Sequence, residues 1–217
     1  MDGACDQWVL PAILPVDVRR QIIREREKHT MGQFTFTETE IEGVFIIEPR
    51  VFGDERGYFM ETYNKADFKK AGIDCEFVQD NQSKSSKGVL RGLHFQIQYP
   101  QAKLVRVTKG EVYDVAVDLR EGSPTYGKYV GAVLTAEKKN QFFIPRGFAH
   151  GFLVLSDEAE FVYKCDEFYH PEDEGGIRWD DLYVGIDWPE IDVEISLSEK
   201  DMQYIGLTNE TFELVSR

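Results

Sequence analysis

The chain reads as an all-β protein, a sandwich or barrel formed by a single domain. Short apolar or alternating runs recur from Phe34 to Cys165, most of them separated by Gly or Pro. No regular strand–helix alternation divides them, which argues against a parallel sheet with crossover helices. A length of 217 residues suffices for one substantial core and is short for two.

Residues 1–30 stand apart from this pattern. Trp8 to Leu14 is briefly apolar, and Arg19 to His29 is a charged segment with the composition of a short helix. We read 1–30 as a peripheral extension, or as an over-read start with Met31 as initiator, and 31–217 as one domain with a C-terminal packing segment. From Phe34 the strands begin. Gly43 to Pro49 is apolar and closed by proline, and Gly57 to Tyr63 alternates. Lys65 to Ala71 is the one compact helix candidate, with Asn64 as cap and Gly72 as stop. Phe77–Gln79, Val89–Gln96, Leu104–Thr108, Glu111–Leu119, Tyr129–Leu134, Gln141–Ile144, Gly151–Val154 and Ala159–Cys165 follow as strands. Lys109-Gly110 and Glu121-Gly122-Ser123-Pro124 have turn chemistry, and Glu172 to Gly176 reads as a charged loop. The acidic tail carries Trp179 and Trp188, which predict that it packs on the body.

A formal charge of -14 disfavours nucleic acid and anionic membrane as partners. No stretch approaches membrane-spanning length, and the start lacks the order of a secretory signal, so the cytoplasm is the expected compartment. Cys5, Cys75 and Cys165 are an odd, widely spaced set without CxxC. A disulfide framework or structural zinc is not expected, and Cys165 is expected to be a buried thiol.

The chemistry concentrates in Val89 to Gln96, at Lys103, and in Ile144 to His150, in a chain with four histidines. Alternation puts His94 on the face opposite Leu93 and Phe95. It is either a satisfied core residue or a general base, and a base needs an acceptor to set its tautomer. Asp114 and Asp201 are both candidates for that acceptor. Asp118 shares the face of Asp114 but lies near the strand end, where solvation is expected. Arg91 and Lys103 can hold a phosphate or a developing oxyanion if both enter one pocket; otherwise they are surface cations. Arg56 poses the same question, and Tyr163 is a wall residue or an acid. His94-Phe95-Gln96 lacks an HxH metal pair, so metal binding is a minor expectation. His29 and His170 receive no role. With neither GxGxxG nor GxxxxGK[ST] present, any nucleotide belongs to the substrate rather than to a bound redox cofactor.

Several segments together resemble one family. They are Asp54 to Glu61, Gln79 to Ser83, Gly88 to Gln96, Lys103 to Arg106, Gly110 to Asp118, Ile144 to Phe152, Tyr163 to Cys165, Gly185 to Pro189 and Leu197 to Asp201. In that order they are similar to the dTDP-4-dehydrorhamnose 3,5-epimerase family, over roughly Phe34 to Asp201. The resemblance implies a cupin-like double-stranded β-helix, or jelly roll, with short peripheral helices. It also implies a homodimer with exchanged strands, no metal or redox cofactor, and a dTDP-linked 4-keto-6-deoxy sugar as substrate. By the same resemblance His94 is the base, paired with Asp201 rather than Asp114. Lys103 stabilises the enolate, and Tyr163 donates a proton from the opposite face. Arg91 and Arg56 bind the diphosphate, and Phe52, Glu61, Asn81, Asp114, His150 and Tyr169 match pocket positions. The implied reaction inverts carbons 3 and 5 on the way to rhamnose. The alternatives are a mono-epimerase acting at carbon 3 or 5, or a non-catalytic nucleotide-sugar-binding cupin. Ala102 stands where many relatives have glycine, and residues 1–30 lie outside the resemblance.

Overall fold

The alternating runs assemble into two antiparallel sheets facing one another. In this computed structural model residues 28–207 are described. In chain order the strands are β1 (Lys28–Met31), β2 (Phe34–Glu38), β3 (Phe45–Pro49), β4 (Phe52–Asp54) and β5 (Gly57–Phe59). Helix α1 (Lys65–Lys70) follows, then β6 (Gln79–Ser86), β7 (Leu90–Gln96), β8 (Lys103–Lys109), β9 (Glu111–Asp118) and β10 (Tyr129–Thr135). The last are β11 (Gln141–Ile144), β12 (Phe148–Val154), β13 (Glu158–Cys165) and β14 (Glu174–Gly176).

One sheet has the order β1-β2-β3-β11-β8-β13-β6, the other β10-β9-β12-β7-β14, and β4-β5 forms a separate hairpin. From β6 to β13 the chain changes sheet at every connection except β9 to β10. That winding is the cupin-like jelly roll. Val105, Val107 and Phe161 of the larger sheet meet Val112, Ala116 and Phe152 of the smaller, and all six are buried. Each such valine or phenylalanine side chain contributes about 1.5–3 kcal/mol on burial.

Two further clusters cover the outer faces. Phe68 of α1 packs edge-on against Phe34 and Phe36 at 5.2 and 5.1 Å between ring centroids, closing one side of the larger sheet with Ile47, Leu104 and Phe143. The helix starts as its residues dictate. Asn64 Oδ1 accepts from the amides of Ala66 (3.1 Å) and Asp67 (3.4 Å), a cap that contributes about 1 kcal/mol. Gly72 follows at φ +91°, a left-handed stop. The tail does pack on the body: Ile177, Val184 and Trp188 cover Leu93, Phe95, Val115 and Val117 of the smaller sheet.

Four expectations need correction. The charged run to His29 ends in strand rather than helix, because Lys28 and His29 pair with Thr37 and Phe36; its earlier residues lie outside those described. The strand expected at Phe77–Gln79 starts only at Gln79 and runs on to Ser86 although mostly polar, since it is the sheet edge and alternates between half-buried and exposed side chains along β13. Glu174–Gly176 is not loop but a strand paired with β7. Asp118 is not solvated but fully buried. Arg120 grips it through Nε (2.9 Å) and Nη2 (2.8 Å), and the Ser123 and Thr125 hydroxyls each donate at 2.6 Å. Burial pushes its pKa up, and these hydrogen bonds more than reverse that. Among the described residues no helix is long and apolar enough to cross a membrane.

Candidate active site

A cavity of about 370 Å³ opens between the sheets. Arg91 and His94 of β7, His150 of β12, Lys103 of β8, Phe161 and Tyr163 of β13, and the strap 196–201 line it. An adjoining hollow of about 260 Å³ shares His94, Lys103, Tyr163 and Lys200, and adds Tyr169 and Glu174.

Simple alternation would put Arg91 and His94 on opposite faces of β7. A bulge brings them together: His150 and Phe152, two apart on β12, pair with His94 and Arg91, three apart on β7. The extra residue reverses the parity. Gly92 makes this possible. It sits at φ +125°, and a Cβ there would lie 2.5 Å from the Cα of Gly151.

His94 is held by Asp201. Its Nε2 lies 2.6 Å from Asp201 Oδ1, so the carboxylate takes the Nε2 hydrogen and leaves the Nδ1 lone pair free. Asp201 is buried and opens a 3-10 turn whose amide bonds Ser198 Oγ at 3.1 Å. Burial raises its pKa, but the bonds from His94 and Ser198 prevail and keep it below the ordinary carboxylate value. On the other side of the ring, Glu174 Oε1 lies 3.7 Å from His94 Nδ1.

Asp114 has a different partner. Its oxygens lie 3.0 and 3.1 Å from His150 Nε2, in the buried layer beside the cavity. Burial lowers the His150 pKa and raises that of Asp114, disfavouring charge on both. Lys103 projects into the cavity half-buried, and burial lowers its pKa. Among the described residues its Nζ makes no hydrogen bond or ion pair, so the ammonium is available to a ligand. Burial raises the Tyr163 pKa, with Arg91 opposing, and holds the phenol protonated. Arg91 is exposed at the cavity wall and steadied by Ser85 Oγ at 3.1 Å.

Other expected site residues lie elsewhere in the single chain. Phe52 and Arg56 are exposed on the β4-β5 hairpin, where Arg56 Nη2 meets Asp54 at 2.5 Å. Glu61 is half-buried in the segment after that hairpin and does not line the cavity. Asn81 pairs with Tyr163 across β6 and β13, bonds Cys165 Sγ at 3.8 Å, and borders a neighbouring hollow. Tyr169 lies in the adjoining hollow, its hydroxyl 2.5 Å from Glu174 Oε2. Cys165 is buried as expected, its pKa pushed up to about 11 by desolvation.

Sequence reasoning missed Glu174 and Lys200. Lys200 Nζ bonds Glu174 Oε1 at 2.6 Å. Glu174 sat in what reads as a loop, and no local spacing marked it. Lys200 could have been suspected as the neighbour of Asp201.

The comparisons with known proteins agree with this geometry. The family model described as dTDP-4-dehydrorhamnose 3,5-epimerase matches residues 38–209. A relative of that name from Shigella flexneri is 62% identical over 70% of this chain and 84% of its own. Another from Methanothermobacter thermautotrophicus is 57% identical over 80% of this chain and 95% of its own. Among solved structures, the dTDP-6-deoxy-D-glucose-3,5-epimerase of Legionella pneumophila, in complex with dTDP-4-keto-L-rhamnose, is 51% identical with TM-score 0.78, covering 80% of this chain and 92% of that one. The chain belongs to the dTDP-4-dehydrorhamnose 3,5-epimerase family.

Proposed function

We propose that the protein inverts carbons 3 and 5 of dTDP-4-dehydro-6-deoxy-D-glucose to give dTDP-4-dehydro-L-rhamnose. The observation that carries this is the His94–Asp201 pair at 2.6 Å, set in one cavity with an unpaired Lys103 and a protonated Tyr163. The 4-ketone acidifies the hydrogens on both neighbouring carbons. His94 Nδ1 removes one, and Asp201 stabilises the imidazolium that forms. Lys103 neutralises the oxygen of the enolate, which is where charge develops. Tyr163 returns a proton to the opposite face, inverting the centre. Once His94 has released its proton to solvent and Tyr163 has taken one up, the same groups act at the other carbon. No step calls on a metal or redox cofactor.

Arg91 supplies one cation for the diphosphate. Phe52, Arg56 and Glu61 lie on or just after a projecting hairpin, and a homodimer with exchanged strands delivers them to the partner's cavity. Asn81, His150 and Tyr169 border the substrate. The enzyme acts in the cytoplasm, on a nucleotide-linked sugar, without nucleic acid or membrane as partner.

The test is incubation with dTDP-4-dehydro-6-deoxy-D-glucose in deuterated water, followed by NMR. Deuterium at both carbons with formation of the L-rhamno keto sugar is expected. Exchange at one carbon reduces the enzyme to a mono-epimerase, and binding without exchange overturns the catalytic reading. Mixing an Arg56→Ala chain with a His94→Ala chain tests the dimer. Strand exchange gives one intact site per mixed dimer, so activity returns; no recovery contradicts it.

A further inference from the structure

Glu174 has no task in the reaction as drawn, yet it is tied closely into the base. Its side chain is only 7% exposed. Oε1 takes Lys200 Nζ at 2.6 Å and Tyr204 OH at 3.4 Å, and Oε2 takes Tyr169 OH at 2.5 Å. The same Oε1 faces His94 Nδ1 at 3.7 Å. The β7-β14 ladder sets this approach: Gly176 pairs with His94 and Glu174 with Gln96, which puts Glu174 on the diagonal to the ring. The strap that brings Asp201 to Nε2 brings Lys200 to Glu174 one residue earlier. His94 therefore lies between two buried carboxylates, one on each ring nitrogen.

The arrangement matters whenever Nδ1 carries a proton, as it does after abstraction. With Nδ1 unprotonated, Glu174 and the lone pair repel and the ring bonds Asp201 alone. With Nδ1 protonated, the new N–H needs an acceptor, and Glu174 Oε1 is the nearest carboxylate oxygen to it. We propose that Glu174 is a positioning residue that captures the protonated form of His94, turning the Nδ1 hydrogen away from the enolate so that it does not return to the face it left. Return to that face regenerates substrate; capture leaves the opposite face to Tyr163 and commits the cycle to inversion. The Nδ1 lone pair forms the new N–H bond, the electron pair of the broken carbon–hydrogen bond stays on the enolate, and Tyr163 supplies the incoming proton. This inference rests on the epimerase reading.

The charges around the ring are Asp201 and Lys200 from the strap, Glu174 from β14, Arg91 from β7, Lys103 from β8 and His150 from β12, with Tyr163, Tyr169 and Tyr204 nearby. Glu174 is ionised: burial raises its pKa, but Lys200 and Tyr169 bring it below the ordinary value. It neutralises Lys200, so a neutral residue in its place leaves an ammonium beside the imidazolium.

Glu174→Gln and the charge-retaining Glu174→Asp test this beside the parent, with two readouts. The acid limb of the kcat/KM profile is expected to move down by about one pH unit in Glu174→Gln, since a nearby carboxylate favours the protonated base, and Glu174→Asp to restore most of it. In deuterated water the Nδ1 hydrogen exchanges with solvent while the enolate persists, so unreacted substrate recovered from Glu174→Gln is expected to carry several-fold more deuterium relative to product than from the parent, because abstraction and exchange are less often followed by inversion. An unmoved limb with parent-like label in recovered substrate overturns the proposal, as does a rise in KM alone. Glu174→Asp folding normally but behaving like Glu174→Gln in both readouts also overturns it. Absence of any exchange by the parent overturns the epimerase reading, and this inference with it.

Discussion

His94 and His150 stand opposite one another in the β7-β12 ladder, yet each is bound to a different aspartate. Asp201 reaches the first at 2.6 Å and Asp114 the second at 3.0 Å. His94 and Asp201 line the cavity, as does His150, whereas Asp114 lies fully buried behind His150. Burial disfavours charge on the second histidine.

The first pair is tested by His94→Ala and Asp201→Asn. His94→Ala is expected to bring turnover close to background. Asp201→Asn leaves a ring without its orienting charge and is expected to lower kcat by about 10²–10⁴-fold, with a smaller change in KM. Steady-state kinetics on folded protein checks both. Near-parental turnover in either removes that residue from the mechanism.

The second pair gives stability a pH dependence. The folded His150 pKa lies below the ordinary histidine value because burial disfavours its charge, while the unfolded ring takes a proton near ~6.5. Below that pH the unfolded chain binds more protons than the folded one, so stability falls as pH drops through ~6.5. Asp114, raised by the same burial, takes up a proton earlier when folded and offsets part of the loss. Urea unfolding at several pH values is expected to show this slope, and His150→Gln to flatten it. The same slope in both proteins would exclude His150 as its source.

Lys103 should set the high-pH behaviour. Burial lowers its pKa, so the ammonium is lost below the ordinary lysine range of about 10.4. Activity is expected to decline on the alkaline side there. Lys103→Arg, which stays charged, should have lower kcat but keep it to higher pH. Lys103→Met should lose about 10²–10³-fold in kcat, the scale of losing one oxyanion partner. An alkaline limb unchanged in Lys103→Arg assigns it to another group.

Tyr163→Phe should separate the two halves of the reaction. Removing the hydroxyl spares abstraction by His94 and removes the donor on the opposite face. Deuterium exchange is expected to survive better than inversion, read by NMR in deuterated water. Equal loss of both would mean that Tyr163 is not that donor.

Gly92→Ala tests the bulge. The added Cβ meets the Gly151 backbone at 2.5 Å in a conformation that alanine avoids. A thermal midpoint several degrees lower is expected, together with reduced activity, because the same bulge turns Arg91 toward the cavity beside His94. Parent-like melting and kinetics would show that the β7-β12 register does not depend on it.

What the sequence determined by itself was whatever repeats over a few residues. Alternation around Leu93-His94-Phe95 aimed His94 inward, and that around Phe161-Tyr163-Cys165 did the same for Tyr163. Asn64 and Gly72 bounded the helix because capping and left-handed stops are local events. Long-range placement was decided only in the tertiary structure. Asp114 and Asp201 were equal candidates from the local sequence, and choosing between them depends on which segments lie side by side across 107 residues of chain. Arg91 shares a face with His94 because of an extra residue in the ladder that alternation does not show. Glu174 was hidden in a charged turn, since a three-residue edge strand has no periodicity to read and is made by its pairing with β7. Phe52, Arg56 and Glu61 are on or just after an exposed hairpin that a single chain does not fold over its own cavity. Local sterics and burial choose the elements, whereas the partners of buried charges follow from which strands the global packing makes neighbours.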